Sequence, residues 1–230
     1  MKLYGLAAAL VLCLAACGSE APPTVAETRQ GAEMPPDVPV MGEERTVLAL
    51  GDSLFTGYGL GEGESYPALL EAALRARGIN ARMVNAGVSG DTTAAGRNRL
   101  AFALDAQATK PDLVVISLGG NDMLRGLPVE QTRENLDAIL AELKERGIET
   151  LLLGMLAAPN LGEPYAREFN AIYPALAKKY GAALVPFFLQ PVMDRPELVQ
   201  ADRIHPTREG IEAMVADTVD DVAGALGQEN

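Results

Sequence analysis

The chain carries a single histidine, His205, and its neighbours are those that acid–base chemistry requires. It stands in Asp202-Arg203-Ile204-His205-Pro206, with a carboxylate three residues before the imidazole. In a loop or turn, that spacing can set the carboxylate against Nδ1 and leave Nε2 to take a proton from a hydroxyl nucleophile. Near the other end, Gly51-Asp52-Ser53-Leu54 offers such a hydroxyl on Ser53, directly after an aliphatic run. A serine there leaves the carboxyl edge of a sheet, where the free N–H groups of a following helical turn favour developing negative charge. Two more polar segments follow strand-like runs: Asn85-Ala86-Gly87-Val88-Ser89-Gly90-Asp91 and Gly119-Gly120-Asn121-Asp122. Glycine lets a backbone N–H approach a ligand closely, and an Asn amide is a neutral donor that can stabilise an oxyanion. Taken singly, each block also has a structural explanation. Asp52 or Ser53 can cap a helix, the glycines and Asn121 can build turns, and His205 can be a surface residue near a helix start. Taken together, they supply nucleophile, donors and acid–base pair without duplication. Because position 55 is Phe, Ser53 does not lie in a Gly-x-Ser-x-Gly elbow.

The elements that must hold these residues follow an alternating pattern. Strands are predicted at Thr46 to Leu50, Arg82 to Asn85, Leu113 to Leu118, Thr150 to Leu153 and Ala183 to Pro186. Between and after them lie helices at Tyr66 to Arg77, Thr93 to Leu104, Pro128 to Arg146, Tyr165 to Lys179 and Thr207 to Leu226. In the third helix Leu136, Ile139, Leu140 and Leu143 recur at helical spacing, with Pro128 suited to the first turn and Gly147 to the end. Apolar, non-alternating strands separated by helices predict an α/β fold. Its form is a three-layer α/β/α flavodoxin-like sandwich around a five-stranded parallel sheet, with the first strand near the middle. Ligands of such sheets bind beyond the carboxyl ends of the strands, where the polar blocks fall.

From Thr46 onward the chain resembles the SGNH (GDSL-type) hydrolases. The resemblance rests on Gly51-Asp52-Ser53-Leu54, Gly90, Gly120-Asn121-Asp122 and Asp202-x-x-His205. Within that family it is similar to the bacterial arylesterase, acyl-CoA thioesterase I and lysophospholipase group. That likeness is carried by Val88-Ser89-Gly90-Asp91-Thr92, by Leu118 to Gly126, and by Ile172-Tyr173-Pro174. Val185-Pro186-Phe187-Phe188 and Ile204-His205-Pro206 add to it. It implies a cofactor-free, metal-free ester hydrolase working through an acyl-serine, with Ser53, Asp202 and His205 as the triad. The oxyanion hole it implies comprises the Ser53 N–H, the Gly90 N–H and the Asn121 side chain. Leu124, Leu127, Leu161 and Phe187 are candidates for the acyl pocket, with ordinary packing as the alternative. An apolar pocket separates chain lengths by only about 1–3 kcal/mol per methylene, so aryl esters, short to medium acyl esters, thioesters and lysophospholipids are all expected substrates. Two other outcomes stay open at this point. One is removal of acetyl groups from polysaccharide, or acyl transfer, at the same site; the other is a non-catalytic surface lipoprotein. A histidine base predicts activity rising through roughly pH 6–7.5.

Composition narrows the partners. A net charge of −12 and the absence of Trp disfavour nucleic acid and anionic lipid headgroups. One His and two Cys cannot build an ordinary zinc site. Met1-Lys2 and the apolar run from Leu3 to Leu14 have the form of an export signal, too short to span a bilayer. Leu14-Ala15-Ala16-Cys17 resembles the bacterial lipobox, which makes Cys17 the lipidated first residue of the mature protein. An ordinary signal with an incidental cysteine is the alternative. Residues 1–16 are thus expected to be a lipoprotein signal, and residues 17–44, rich in Pro, Glu, Ala and Gly, a disordered tether or a packed irregular arm. Residues 45–230 are the hydrolase domain. The expected location is outside the cytoplasm, on a bacterial membrane facing the periplasm or the cell surface, with the lipid anchor as the only membrane contact.

Overall fold

A computed structural model describes residues 40–227. The expected signal, Cys17 and most of the expected tether lie outside the described residues. The last residues of that tether are tied to the domain. Asn80 Nδ2 donates to Gly42 O at 3.0 Å, and Arg82 Nε meets Glu44 Oε1 at 2.7 Å.

Five strands form one parallel sheet: β1 (Arg45–Gly51), β2 (Ala81–Gly87), β3 (Leu113–Ser117), β4 (Glu149–Leu153) and β5 (Ala183–Val185). Their order is β2-β1-β3-β4-β5, the flavodoxin-like arrangement. The three central strands are buried almost throughout, whereas the edge strand β2 is mostly half-buried. That gradient follows from helices covering both faces and solvent reaching the edges. On one side α2 (Tyr66–Ala76) packs on α8 (Arg208–Ala225), where Tyr66 Oη and Thr218 Oγ1 lie 2.7 Å apart in a buried hydrogen bond. On the other, α3 (Thr93–Asp105) packs on α5 (Val129–Glu145), and α5 on α7 (Ile172–Tyr180).

The register brings the polar blocks to one height. Gly51 at the end of β1 pairs with Gly87 of β2 and with Ser117 of β3. Adjacent strands lie about 4.8 Å apart, so the chain leaves three neighbouring strands within a small patch. A short helix, α1 (Ser53–Thr56), folds over these ends. A Cβ on Gly87 would lie 2.9 Å from the Thr56 nitrogen, so the strand end must be glycine for α1 to settle there.

Two elements differ from expectation. The stretch Tyr165 to Lys179 is two helices, α6 (Glu163–Asn170) and α7, rather than one. Pro174 has no N–H for the Asn170 carbonyl, so the ladder breaks there. The Asn170 side chain separately accepts from Ala157 N at 2.8 Å. A second short helix, α4 (Gly120–Leu124), also carries Asn121 at its start. Too few residues are involved for either α1 or α4 to show a periodic pattern.

Candidate active site

Asp52 caps α1, its Oδ1 accepting from Leu54 N at 3.1 Å, and Ser53 is therefore the first residue of that helix. The Ser53 hydroxyl oxygen lies 2.8 Å from His205 Nε2, and His205 Nδ1 lies 2.6 Å from Asp202 Oδ2. The other Asp202 oxygen accepts from the Ile204 N–H at 2.9 Å and the His205 N–H at 3.0 Å. One carboxylate thus shapes the loop and orients the ring. Bonding to His205 first, and then to the two backbone donors, holds the Asp202 carboxyl down at about 2. It stays ionised across the neutral range.

The histidine loop is pinned from both sides. Val199 bridges antiparallel to Pro206, and Gln200 N donates to His205 O at 2.7 Å. Gln200 Nε2 donates to Pro206 O and to Tyr58 O, both at 2.8 Å, which couples this loop to the segment after α1. The Tyr58 ring lies over the imidazole, centroids 4.4 Å apart and tilted by 32°. Arg203 takes a positive φ of 61°, an uncommon conformation that the short Asp202-to-His205 turn imposes.

The remaining expected donors adjoin Ser53. Asn121 Nδ2 donates to Asp91 O at 2.9 Å and, at a longer 3.3 Å, to Asp52 Oδ2. Among the described residues, the Ser53 and Gly90 N–H groups have no hydrogen-bond partner in the protein. Asp52 is only 2% exposed, and burial raises its carboxyl to about 6 against the opposing pull of the Leu54 N–H. Asp122 is buried as well, but serves the scaffold by accepting from Thr93 N, Thr93 Oγ1 and Thr132 Oγ1.

The expected pocket residues are spread along the same edge. Leu124 at the end of α4 is exposed, and Leu127 just beyond it is half-buried. Their segment meets the turn Pro159–Leu161 through Ala158 N, 3.2 Å from Met123 Sδ. Half-buried Phe187 follows the edge strand β5.

Sequence reasoning gave no role to Arg99, Gln200 or Tyr58. For Arg99 a signal existed. Gly96, Leu100 and Ala103 form the buried face of α3, and Arg99, three residues from Gly96 and four from Ala103, lies on that face. An arginine on an apolar face needs buried acceptors.

Comparison with known proteins shows the family. Residues 49–213 match the model of the GDSL-like lipase/acylhydrolase family. Esterase TesA of Pseudomonas aeruginosa is 43% identical over 162 residues, 70% of this chain and 80% of that protein. Thioesterase 1/protease 1/lysophospholipase L1 of Escherichia coli K12 is 40% identical over 172 residues, 75% of this chain and 80% of that one. The crystal structure of AlinE4, an SGNH-hydrolase family esterase, superposes with a TM-score of 0.70 at 61% identity, covering 80% of this chain and 98% of that one. This chain belongs to the GDSL-like lipase/acylhydrolase family, the SGNH hydrolases.

Proposed function

We propose that Ser53, His205 and Asp202 hydrolyse carboxylic esters through an acyl-serine intermediate. The observation that carries this reading is the continuous chain from Ser53 Oγ through the imidazole to Asp202, with links of 2.8 and 2.6 Å. His205 Nε2 takes the Ser53 proton as the hydroxyl attacks the acyl carbonyl, then returns it to the departing alcohol. Asp202 fixes the Nδ1–H tautomer and stabilises the imidazolium. The unpartnered Ser53 and Gly90 N–H groups receive the oxyanion. Asn121 joins them by exchanging its longer bond to Asp52 for one to the substrate. Water enters after the alcohol leaves, and His205 acts as base again to release the acid.

Small-molecule esters are the substrate class. Exposed Tyr58, Val88, Leu124 and Ile204, each in one of the segments that carry the site, give the substrate an apolar approach. That supports aryl and acyl chains, and by similarity to the relatives it extends to thioesters and lysophospholipids. We also propose that Cys17 carries lipid and holds the enzyme on an extracytoplasmic membrane face. Incorporation of labelled palmitate, lost in Cys17→Ser, tests that point separately.

The deciding assay is turnover of p-nitrophenyl esters from acetate to palmitate by the full-length protein, with Ser53→Ala as control. Turnover that disappears in the control supports the acyl-serine route. Equal turnover in both proteins refutes it.

A further inference from the structure

We propose that the Arg99–Asp91 ion pair is a positioning element that holds the three oxyanion donors in register, a role that rests on the acyl-serine reading above. The guanidinium of Arg99 makes three bonds, each to a different part of the site's frame. Its Nε donates to Asp91 Oδ2 at 2.6 Å, its Nη1 to Ala86 O at 2.6 Å and its Nη2 to Gly51 O at 2.9 Å. Gly51 closes β1, two residues before Ser53, and Ala86 lies near the end of β2. Asp91 follows Gly90 directly.

Each donor is reached within a few covalent bonds of this fork. Gly51 O also accepts from Val88 N at 3.0 Å, and Val88 O accepts from Asp91 N at 3.1 Å, so the loop from 88 to 91 is fastened at both ends. The Asp91 carbonyl is the shorter of the two acceptors for the Asn121 amide. The ion pair thus sets the height of Ser53, the path of the chain through Gly90 and the rotation of Asn121 together. Both side chains are largely sheltered, 22% and 12% exposed, so solvent screens the pair only weakly. The acceptors diverge to two carbonyls and a carboxylate. A planar fork of fixed N–H directions meets that pattern, and a lysine ammonium does not.

The test compares full-length wild type, Arg99→Ala, Arg99→Lys and Asp91→Asn on a p-nitrophenyl ester. Misplacing reacting groups by about 1 Å costs about 10²-fold in rate. Arg99→Ala is therefore expected to lower kcat by about 10²-fold with KM little changed. The rate of phosphonylation by a serine-directed phosphonate should fall in parallel. Added guanidinium at non-denaturing concentration should restore part of the rate in Arg99→Ala, and equal sodium chloride should not. A role confined to stability predicts a lower unfolding midpoint with kcat per folded molecule unchanged and no guanidinium rescue; that result overturns the proposal, as does a change in KM alone. If Arg99→Ala does not fold, Arg99→Lys and Asp91→Asn decide. Both are expected to fold and to lose kcat, and wild-type kcat in both overturns the proposal. If wild type itself has no Ser53-dependent turnover, the ester-hydrolase reading fails. If it has such turnover and Arg99→Ala matches it, only the positioning role fails.

Discussion

Asp52→Asn probes the buried carboxyl beside the nucleophile. Burial raises the Asp52 carboxyl from 3.8 to about 6, while the Leu54 N–H and the His205 charge oppose the rise and Asp91 adds to it. Because the folded value lies above the unfolded one, the native protein holds a proton between these limits that the unfolded chain has already lost. Stability contributed by this group is therefore full below pH 3.8 and is lost as pH rises toward 6. A rise of about two pKa units at 1.36 kcal/mol each amounts to about 3 kcal/mol in all, most of it between pH 4 and 8. Asn cannot ionise but caps a helix as well as Asp, so the Leu54 bond survives the substitution. Its amide nitrogen then faces the Asn121 amide nitrogen, which removes the 3.3 Å contact at every pH.

Urea unfolding of both proteins at intervals from pH 4 to 8, followed by circular dichroism, gives the difference in stability directly. Asp202, whose carboxyl is held down, changes stability in the opposite direction on acidification, and Asp221, raised by burial, in the same direction, but they do so in both proteins and cancel. The wild type should lose on the order of 2–3 kcal/mol relative to Asp52→Asn across this range, with most of the loss complete by about pH 6. A constant difference would show that Asp52 titrates alike in both states and would refute the assignment of burial as the dominant influence.

Three more substitutions follow from the geometry. Asp202→Asn sets an amide against His205 Nδ1 and favours the tautomer with its proton on Nε2, facing Ser53. Steady-state kinetics should show kcat falling by up to about 10⁴-fold while the fold persists. Gly119→Ala meets two obstacles: a φ of 111°, and a Cβ only 2.2 Å from Tyr173 Oη, the group that donates to Leu118 O at 2.8 Å. A loss of about 3 kcal/mol in chemical denaturation is expected, and a loss below about 1 kcal/mol would refute the steric argument. Ser117 is fully buried in β3 with no partner for its hydroxyl among the described residues. Ser117→Ala should raise stability by about 1 kcal/mol, measurable as a higher urea midpoint, and a lower midpoint would mean that the hydroxyl is bonded in solution.

Much of the fold was legible because its strands are aliphatic runs and its long helices repeat at helical spacing. All five strands and the helices α2, α3, α5 and α8 lie within a few residues of their expected places. The break between α6 and α7 turns on one missing N–H, at Pro174, inside an otherwise helical pattern, and periodicity does not register the loss of a single bond. The helices α1 and α4 span four and five residues, too few for any pattern, yet they carry Ser53 and Asn121. For α1 the Asp52 cap is local, and what adds to it is tertiary, the space left over Gly87; α4 has no side-chain cap at all. The triad residues were legible for a different reason. A chain with one histidine leaves a single candidate for the base, and the carboxylate three residues away is a local feature.

The oxyanion frame was the least legible part, because it depends on which hydrogens are already engaged. Asn121 has two amide hydrogens, and at rest both have acceptors, one at 2.9 Å and one at 3.3 Å. Only the weaker bond can be surrendered without turning the side chain. The longer contact therefore marks the hydrogen that the oxyanion would take, and it points from Asn121 toward the Asp52 carboxyl, next to Ser53. When that carboxyl is charged, it competes with the substrate for the same hydrogen. When it is protonated, it accepts less strongly and competes less. Below about pH 6, where burial keeps Asp52 protonated, its hold on the Asn121 amide is therefore looser, and above that pH the charged carboxylate holds the amide more firmly. One buried residue thus links the cost of folding the strand end to the readiness of the donor, and the strand register places Asp52 and Asn121 close enough for that link to exist.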